Sequence, residues 1–129
     1  MALKQILAVM CLTVPMLAWA ENSIVGQWAM PVPNNPQCSE LYSFDADGQF
    51  AVSSDQERVT GRYDIQATPA LPQMNMAFVS DNNMTDCFGN TVDQTGQKDA
   101  HYLKWDNENM VQFCSDVTGQ NCPVKLYRQ

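Results

Sequence analysis

Few residues in this chain could do specific chemistry. It has five cysteines, eight methionines and a single histidine, His101, in 129 residues. Cys38, Cys87, Cys114 and Cys122 follow an N-terminal segment read below as an export leader. Four thiols in an exported chain of about 100 residues imply two disulfides, and three pairings are open. Cys114 and Cys122 flank Ser115-Asp116-Val117-Thr118-Gly119-Gln120-Asn121, a turn-rich loop between two apolar runs. A bridge across the base of a hairpin is the simple solution there, which leaves Cys38 to pair with Cys87. That second bridge would close a loop of about 50 residues and stabilise by roughly 4 kcal/mol in the chain-entropy model. Spacing by itself does not decide it.

Other chemistries fit less well. A structural zinc site needs closely spaced thiols or histidines; the chain has no C-x-x-C pair and only His101. Met74-x-Met76 puts two thioethers on one face of a strand. With Met84, His101 and Trp105 they could form a soft site for Cu(I), so periplasmic copper binding is one alternative function. Two methionines on a buried strand face serve equally well as core filling, and that is the expectation for Met74, Met76 and Phe78. Asp45-x-Asp47-Gly48 has the start of a calcium loop, but the twelfth position is Gln56 and not Glu. A hairpin turn is expected instead. No serine sits in a nucleophile elbow, and the cysteines are committed to bridges. No catalytic residue, metal or cofactor is therefore expected, and the protein is read as a non-enzyme.

Composition sets further bounds. Met1 to Ala20 reads as a signal peptide: Lys4 gives the positive start, Ile6 to Leu17 the apolar stretch, and Ala18-Trp19-Ala20 the small residues before cleavage. The apolar stretch is short of the ~20 residues needed to span a membrane, and Cys11 falls inside the discarded piece. Residues 21–129 then form one domain, expected in the periplasm or outside the cell and not membrane-spanning. The whole chain carries a net charge of −7. Such a charge repels phosphate backbones, so nucleic-acid binding is not expected.

The elements that must position these residues repeat with period two. In Val59-Thr60-Gly61-Arg62-Tyr63-Asp64-Ile65-Gln66, Val59, Tyr63 and Ile65 share one face and the polar residues the other, as in a half-buried strand. Phe50 and Val52 share a face, as do Leu103 with Trp105 and Val124 with Leu126. Tyr42, Tyr102 and Tyr127 are read as outward strand residues. Asp45-Ala46-Asp47-Gly48, the Pro69–Pro72 region, Asp81-Asn82-Asn83 and Asp106-Asn107-Glu108-Asn109 are turn signals between the runs. About eight strands are predicted: 24–30, 40–44, 49–53, 58–66, 74–80, 86–92, 100–105 taken with 110–114, and 123–128. Residues 90–99 favour a loop over a short helix. The expected fold is all-β, an antiparallel up-and-down barrel, since closure removes the exposed edges of a meander.

The first strand carries Gly26-Gln27-Trp28, and Leu41-Tyr42-Ser43-Phe44-Asp45-Ala46-Asp47-Gly48-Gln49-Phe50 is followed by Gly61-Arg62-Tyr63. This pattern resembles the lipocalin-like (calycin) small β-barrel domains. The resemblance implies that Gly26 allows close chain approach, that Trp28 plugs one barrel end, and that Arg128 lies across the Trp28 ring. It also implies a small apolar or amphipathic ligand held inside by Phe50, Val52, Tyr63, Met76 and Phe78. Residues 21–129 are short for a ligand carrier, and a narrow barrel can be filled by its own side chains. The length also resembles the bacterial periplasmic metalloprotease inhibitors of similar fold. That likeness implies a partner protease, blocked by the segment Glu21-Asn22-Ser23-Ile24-Val25 ahead of Gly26, with Cys38 following soon after Trp28. A cavity of roughly 300 Å3 or more would separate the carrier from the inhibitor.

Overall fold

The computed structural model describes residues 22–129, so the leader and its cleavage position lie outside the described residues. Eight strands run in chain order: β1 (Gly26–Pro31), β2 (Ser39–Phe44), β3 (Gln49–Ser54), β4 (Glu57–Gln66), β5 (Gln73–Asp81), β6 (Lys98–Asn107), β7 (Met110–Cys114) and β8 (Val124–Arg128). Each pairs antiparallel with its sequence neighbour, and β8 returns to β1 to close the barrel. The predicted all-β up-and-down barrel is the observed fold. Among the described residues no helix is long and apolar enough to cross a membrane.

The alternation of side chains along each strand decides what fills the barrel. Trp28, Phe44, Phe50, Val59, Met74, Met76, Leu103, Val111, Phe113 and Leu126 point inward and are buried together. Their rings meet mostly edge to face: Phe50 and Phe78 at 5.4 Å between centroids, Phe44 and Tyr63 at 5.2 Å. Such pairs add about 0.5–1.5 kcal/mol each beyond area burial. Gly61 is part of this packing, because a Cβ there would overlap both the Phe50 ring and the Ala77 carbonyl oxygen. A register shift between β4 and β5 at Thr60 and Gly61 accompanies that close approach.

Both bridges form as expected, Cys38–Cys87 and Cys114–Cys122. The count of eight strands holds, but two assignments behind it do not. Residues 86–92 are not a strand. Asp86 Oδ1 accepts the backbone N–H groups of Phe88 and Asn90, which curls the chain into a turn, while Cys87 is tied to Cys38. Residues 98–107 and 110–114 are two separate strands joined by a tight turn at Glu108 and Asn109, where the Asn107 side chain accepts the Asn109 N–H. Asp45 acts as a turn former: its Oδ1 accepts the N–H groups of Asp47 and Gln49.

Candidate functional site at the open barrel end

The two ends of the barrel are built differently. At one end Trp28 is fully buried and its indole N–H donates to the Ile24 carbonyl at 2.8 Å. The Trp105 ring meets it edge-on at 5.7 Å. Arg128 lies with its guanidinium carbon 4.2 Å from the Trp28 ring centre. Its N–H groups donate to the carbonyls of Ser23, Val25 and Glu108. Gly26, at φ +136°, lets the guanidinium come this close; a Cβ would collide with Arg128 Nη1. Ser23 to Val25 are thereby drawn against the barrel wall. Outside this end a broad open depression of about 900 Å3 runs past Tyr63, Ile65, Pro72 and Trp105.

The other end holds a more enclosed cavity of about 200 Å3. Strand parity delivers its walls. Glu40 and Tyr42 come from β2, Val52 from β3, Glu57 and Val59 from β4, Met76 and Phe78 from β5, Asp99 and His101 from β6, and Phe113 from β7. Asp86 and Gln94 reach it from the loop between β5 and β6. That loop is held by short polar contacts: Gln56 and Glu57 donate their backbone N–H groups to Thr85, Asn82 Oδ1 accepts the Arg58 N–H, and Gly96 donates to Phe78. Met84, Phe88 and Val92 stand exposed on it.

A hydrogen-bonded chain links the Cys38–Cys87 bridge to this wall. The Cys87 N–H donates to Ser54 Oγ at 2.9 Å, the Ser54 hydroxyl donates to Glu40 Oε1 at 3.1 Å, and the Tyr42 hydroxyl donates to Glu40 Oε2 at 2.8 Å. Burial, and next to it the Glu40 carboxylate, pushes the Tyr42 phenol well above its ordinary value. The phenol therefore stays protonated and serves as a donor. Glu57 is 4% exposed. Burial pushes its carboxyl up to about 7, with Asp81, Asp86 and Glu40 adding to the effect. His101 stacks on Phe113 at 5.1 Å, and burial lowers its pKa despite the opposing charge of Asp99.

Of the five residues read from sequence as ligand contacts, Val52, Met76 and Phe78 line the cavity. Phe50 sits deeper, between Phe44 and Phe78. Tyr63 lies toward the Trp28 end, where its hydroxyl donates to the Asp45 carbonyl. Tyr42 corrects an expectation: it faces inward, because it shares the parity of Glu40 and Phe44 and its hydroxyl has Glu40 as a partner. Met74 is sealed in the core, Met76 and His101 border the cavity, and Met84 is exposed on the loop. The polar half of the site, Glu40, Ser54, Glu57 and Asp99, was not singled out from sequence. Its signal was there: Glu57 is two residues before Val59, and Glu40 two before Tyr42, so both belong to inward faces. Comparison of the chain with protein-family models, with curated proteins and with solved structures gives no match.

Proposed function

We propose that the protein is an exported, non-catalytic binding protein of the lipocalin-like kind, working in the periplasm or outside the cell, with a small amphipathic ligand held at the open end of the barrel. The observation that carries this reading is the make-up of the enclosed cavity, floored by Val52, Met76, Phe78 and Phe113 and rimmed by Glu40, Glu57 and Asp99; at about 200 Å3 it is smaller than the roughly 300 Å3 expected of a carrier. An apolar floor with a few convergent polar groups is the usual make-up of a ligand site. The size favours a small molecule over a lipid, since drug-sized ligands occupy about 300–1,000 Å3. Two disulfides suit an oxidising environment.

The alternatives have less geometry behind them. An inhibitor acting through its N-terminal segment needs that segment free, and Ser23 and Val25 are held by Arg128. A copper site would need Met74 to leave the core.

Native mass spectrometry of protein purified from its own host tests the reading. A retained small molecule is expected, together with amide shifts at Val52, Met76 and His101 when that molecule is added back. Protein that carries nothing, and whose cavity amides stay unmoved across a panel of small amphiphiles, would overturn it.

A further inference from the structure

We propose that residues 82–97, the loop between β5 and β6, form a pH-sensitive lid over the enclosed cavity, latched shut by one proton held between the Glu57 and Asp81 carboxyl groups. The latch does not depend on what the cavity holds.

Both members of the pair stand where the loop joins the barrel. Asp81 ends β5, and its two oxygens accept the backbone N–H groups of Asn83 and Gln94, one near each end of the loop. Glu57 opens β4, and its own N–H, with that of Gln56, donates to the Thr85 carbonyl. Asn82 closes the same junction: its Oδ1 accepts the Arg58 N–H and its Nδ2 donates to the Gln56 carbonyl. The Glu57 side chain is buried and hydrogen-bonded to Asp81. Two ionised carboxylates have only acceptor oxygens, so this bond requires a proton. The proton resides on Glu57, because both Asp81 oxygens already accept N–H groups from the loop.

Loss of that proton leaves two negative charges in contact, and the surrounding groups do not compensate. Facing Glu57 are Glu40 and Tyr42 from β2, Asp86 from the loop, and Asp99 with His101 from β6, and no lysine or arginine lines the cavity. Tyr42 already donates to Glu40, and burial keeps His101 neutral at neutral pH. Arg58 Nη1 donates to the backbone carbonyls of Asp55 and Glu57 instead. The β4–β5 ladder beside the pair is long, whereas the loop rests on this junction through a few N–H bonds, so the loop yields first. The Cys38–Cys87 bridge limits the travel: the arms on either side of Cys87 lift while Cys87 stays at the start of β2. Lifting an arm admits water to the carboxylates. Glu57 titrates near 7 with the lid closed, against an ordinary 4.5. Opening should therefore grow as pH rises from about 4.5 to about 7, by up to about 300-fold over that span.

Amide hydrogen exchange of the disulfide-bonded protein at pH 5 and pH 8, read by NMR as protection with the intrinsic pH dependence divided out, tests the latch. Protection at Gln56, Glu57 and Gln94, whose N–H groups close the junction, should fall at least ten-fold at pH 8. Cys87, held by its bridge and by Ser54 Oγ, and the amides of β7 and β8 should stay far better protected at both pH values. Glu57→Gln keeps a donor for Asp81 and carries no charge, so its junction amides should be as well protected at pH 8 as at pH 5. The parent protein supplies an independent check, since its Glu57 carboxyl carbon signal should titrate near 7. Junction protection that is constant with pH, or that falls equally in Glu57→Gln, would overturn the latch. So would junction amides that exchange only as slowly as those of β7 and β8, because the loop would then open only when the barrel unfolds.

Discussion

Arg128 and Trp28 face each other across the seam where β8 meets β1, with the guanidinium carbon 4.2 Å from the centre of the indole ring. The contact gives cation–π attraction, worth about 0.5–2 kcal/mol. The same guanidinium ties Ser23, Val25 and Glu108 together through their carbonyls. Arg128→Met should lower unfolding stability by about 2–3 kcal/mol. Arg128→Lys should lose less, because it keeps the charge but not the planar fork. Urea denaturation followed by Trp fluorescence measures both; equal losses in the two variants would show that the fork adds nothing.

Gly61 gives a second prediction. The space a methyl group would need is held by the Phe50 ring and the Ala77 carbonyl. The ring could turn, but the carbonyl belongs to a strand. Gly61→Ala should destabilise by about 2–3 kcal/mol through overpacking, although alanine suits a strand no worse than glycine. A shift below about 0.5 kcal/mol in the urea midpoint would mean that β5 gives way easily.

Glu57 should make the fold pH-dependent. Its carboxyl titrates near 7 in the folded protein, against an ordinary value of 4.5. Between those values the folded chain holds the proton more tightly than the unfolded chain does. Stability contributed by this group is therefore complete below about 4.5 and falls as pH rises, with the full deficit reached above about 7. The deficit is at most about 3 kcal/mol, less whatever water in the cavity screens. Glu57→Gln should match the parent protein at pH 4 and exceed its stability at pH 8. His101 works the other way: its lowered pKa costs stability as pH falls below its ordinary value of 6.5. The difference between parent and Glu57→Gln curves, measured by denaturant titration from pH 4 to pH 8, isolates Glu57. A flat difference would contradict the assignment.

The two disulfides should contribute unequally. Cys38–Cys87 spans a separation of 49 residues and Cys114–Cys122 one of 8. In the chain-entropy model these correspond to about 4 and about 2.5 kcal/mol. The double serine variant at 38 and 87 should therefore lose more stability. It should also speed amide exchange at residues 82–97, where the variant at 114 and 122 should not. Hydrogen exchange read by mass spectrometry distinguishes the two.

Much of the barrel was legible because its signals are local. Alternation in β4 and the Asp-x-Asp-Gly turn before β3 needed no distant partner. The 86–92 segment misled because Phe88 and Val92 are apolar residues of the sort strands carry, while the Cys38 bridge and the Asp86 turn that shape the segment act across the fold. The cavity was half visible. Its apolar wall followed from periodicity, whereas Glu40 and Glu57 drew no reading of their own from the sequence. Whether a carboxylate at an inward position finds water or a wall depends on the loop that covers the barrel end, and that loop has no periodicity to read.

The seam between the first and last strands has a kinetic consequence. Its hydrogen bond from Arg128 to Val25 joins positions 103 residues apart. Every other strand pair can zip together with its immediate predecessor, but β1 keeps a bare edge until the whole ribbon has curled round. Refolding should therefore be slow for so small a chain. Its hazard is concentrated in the interval when two unpaired edges coexist and could recruit a second molecule.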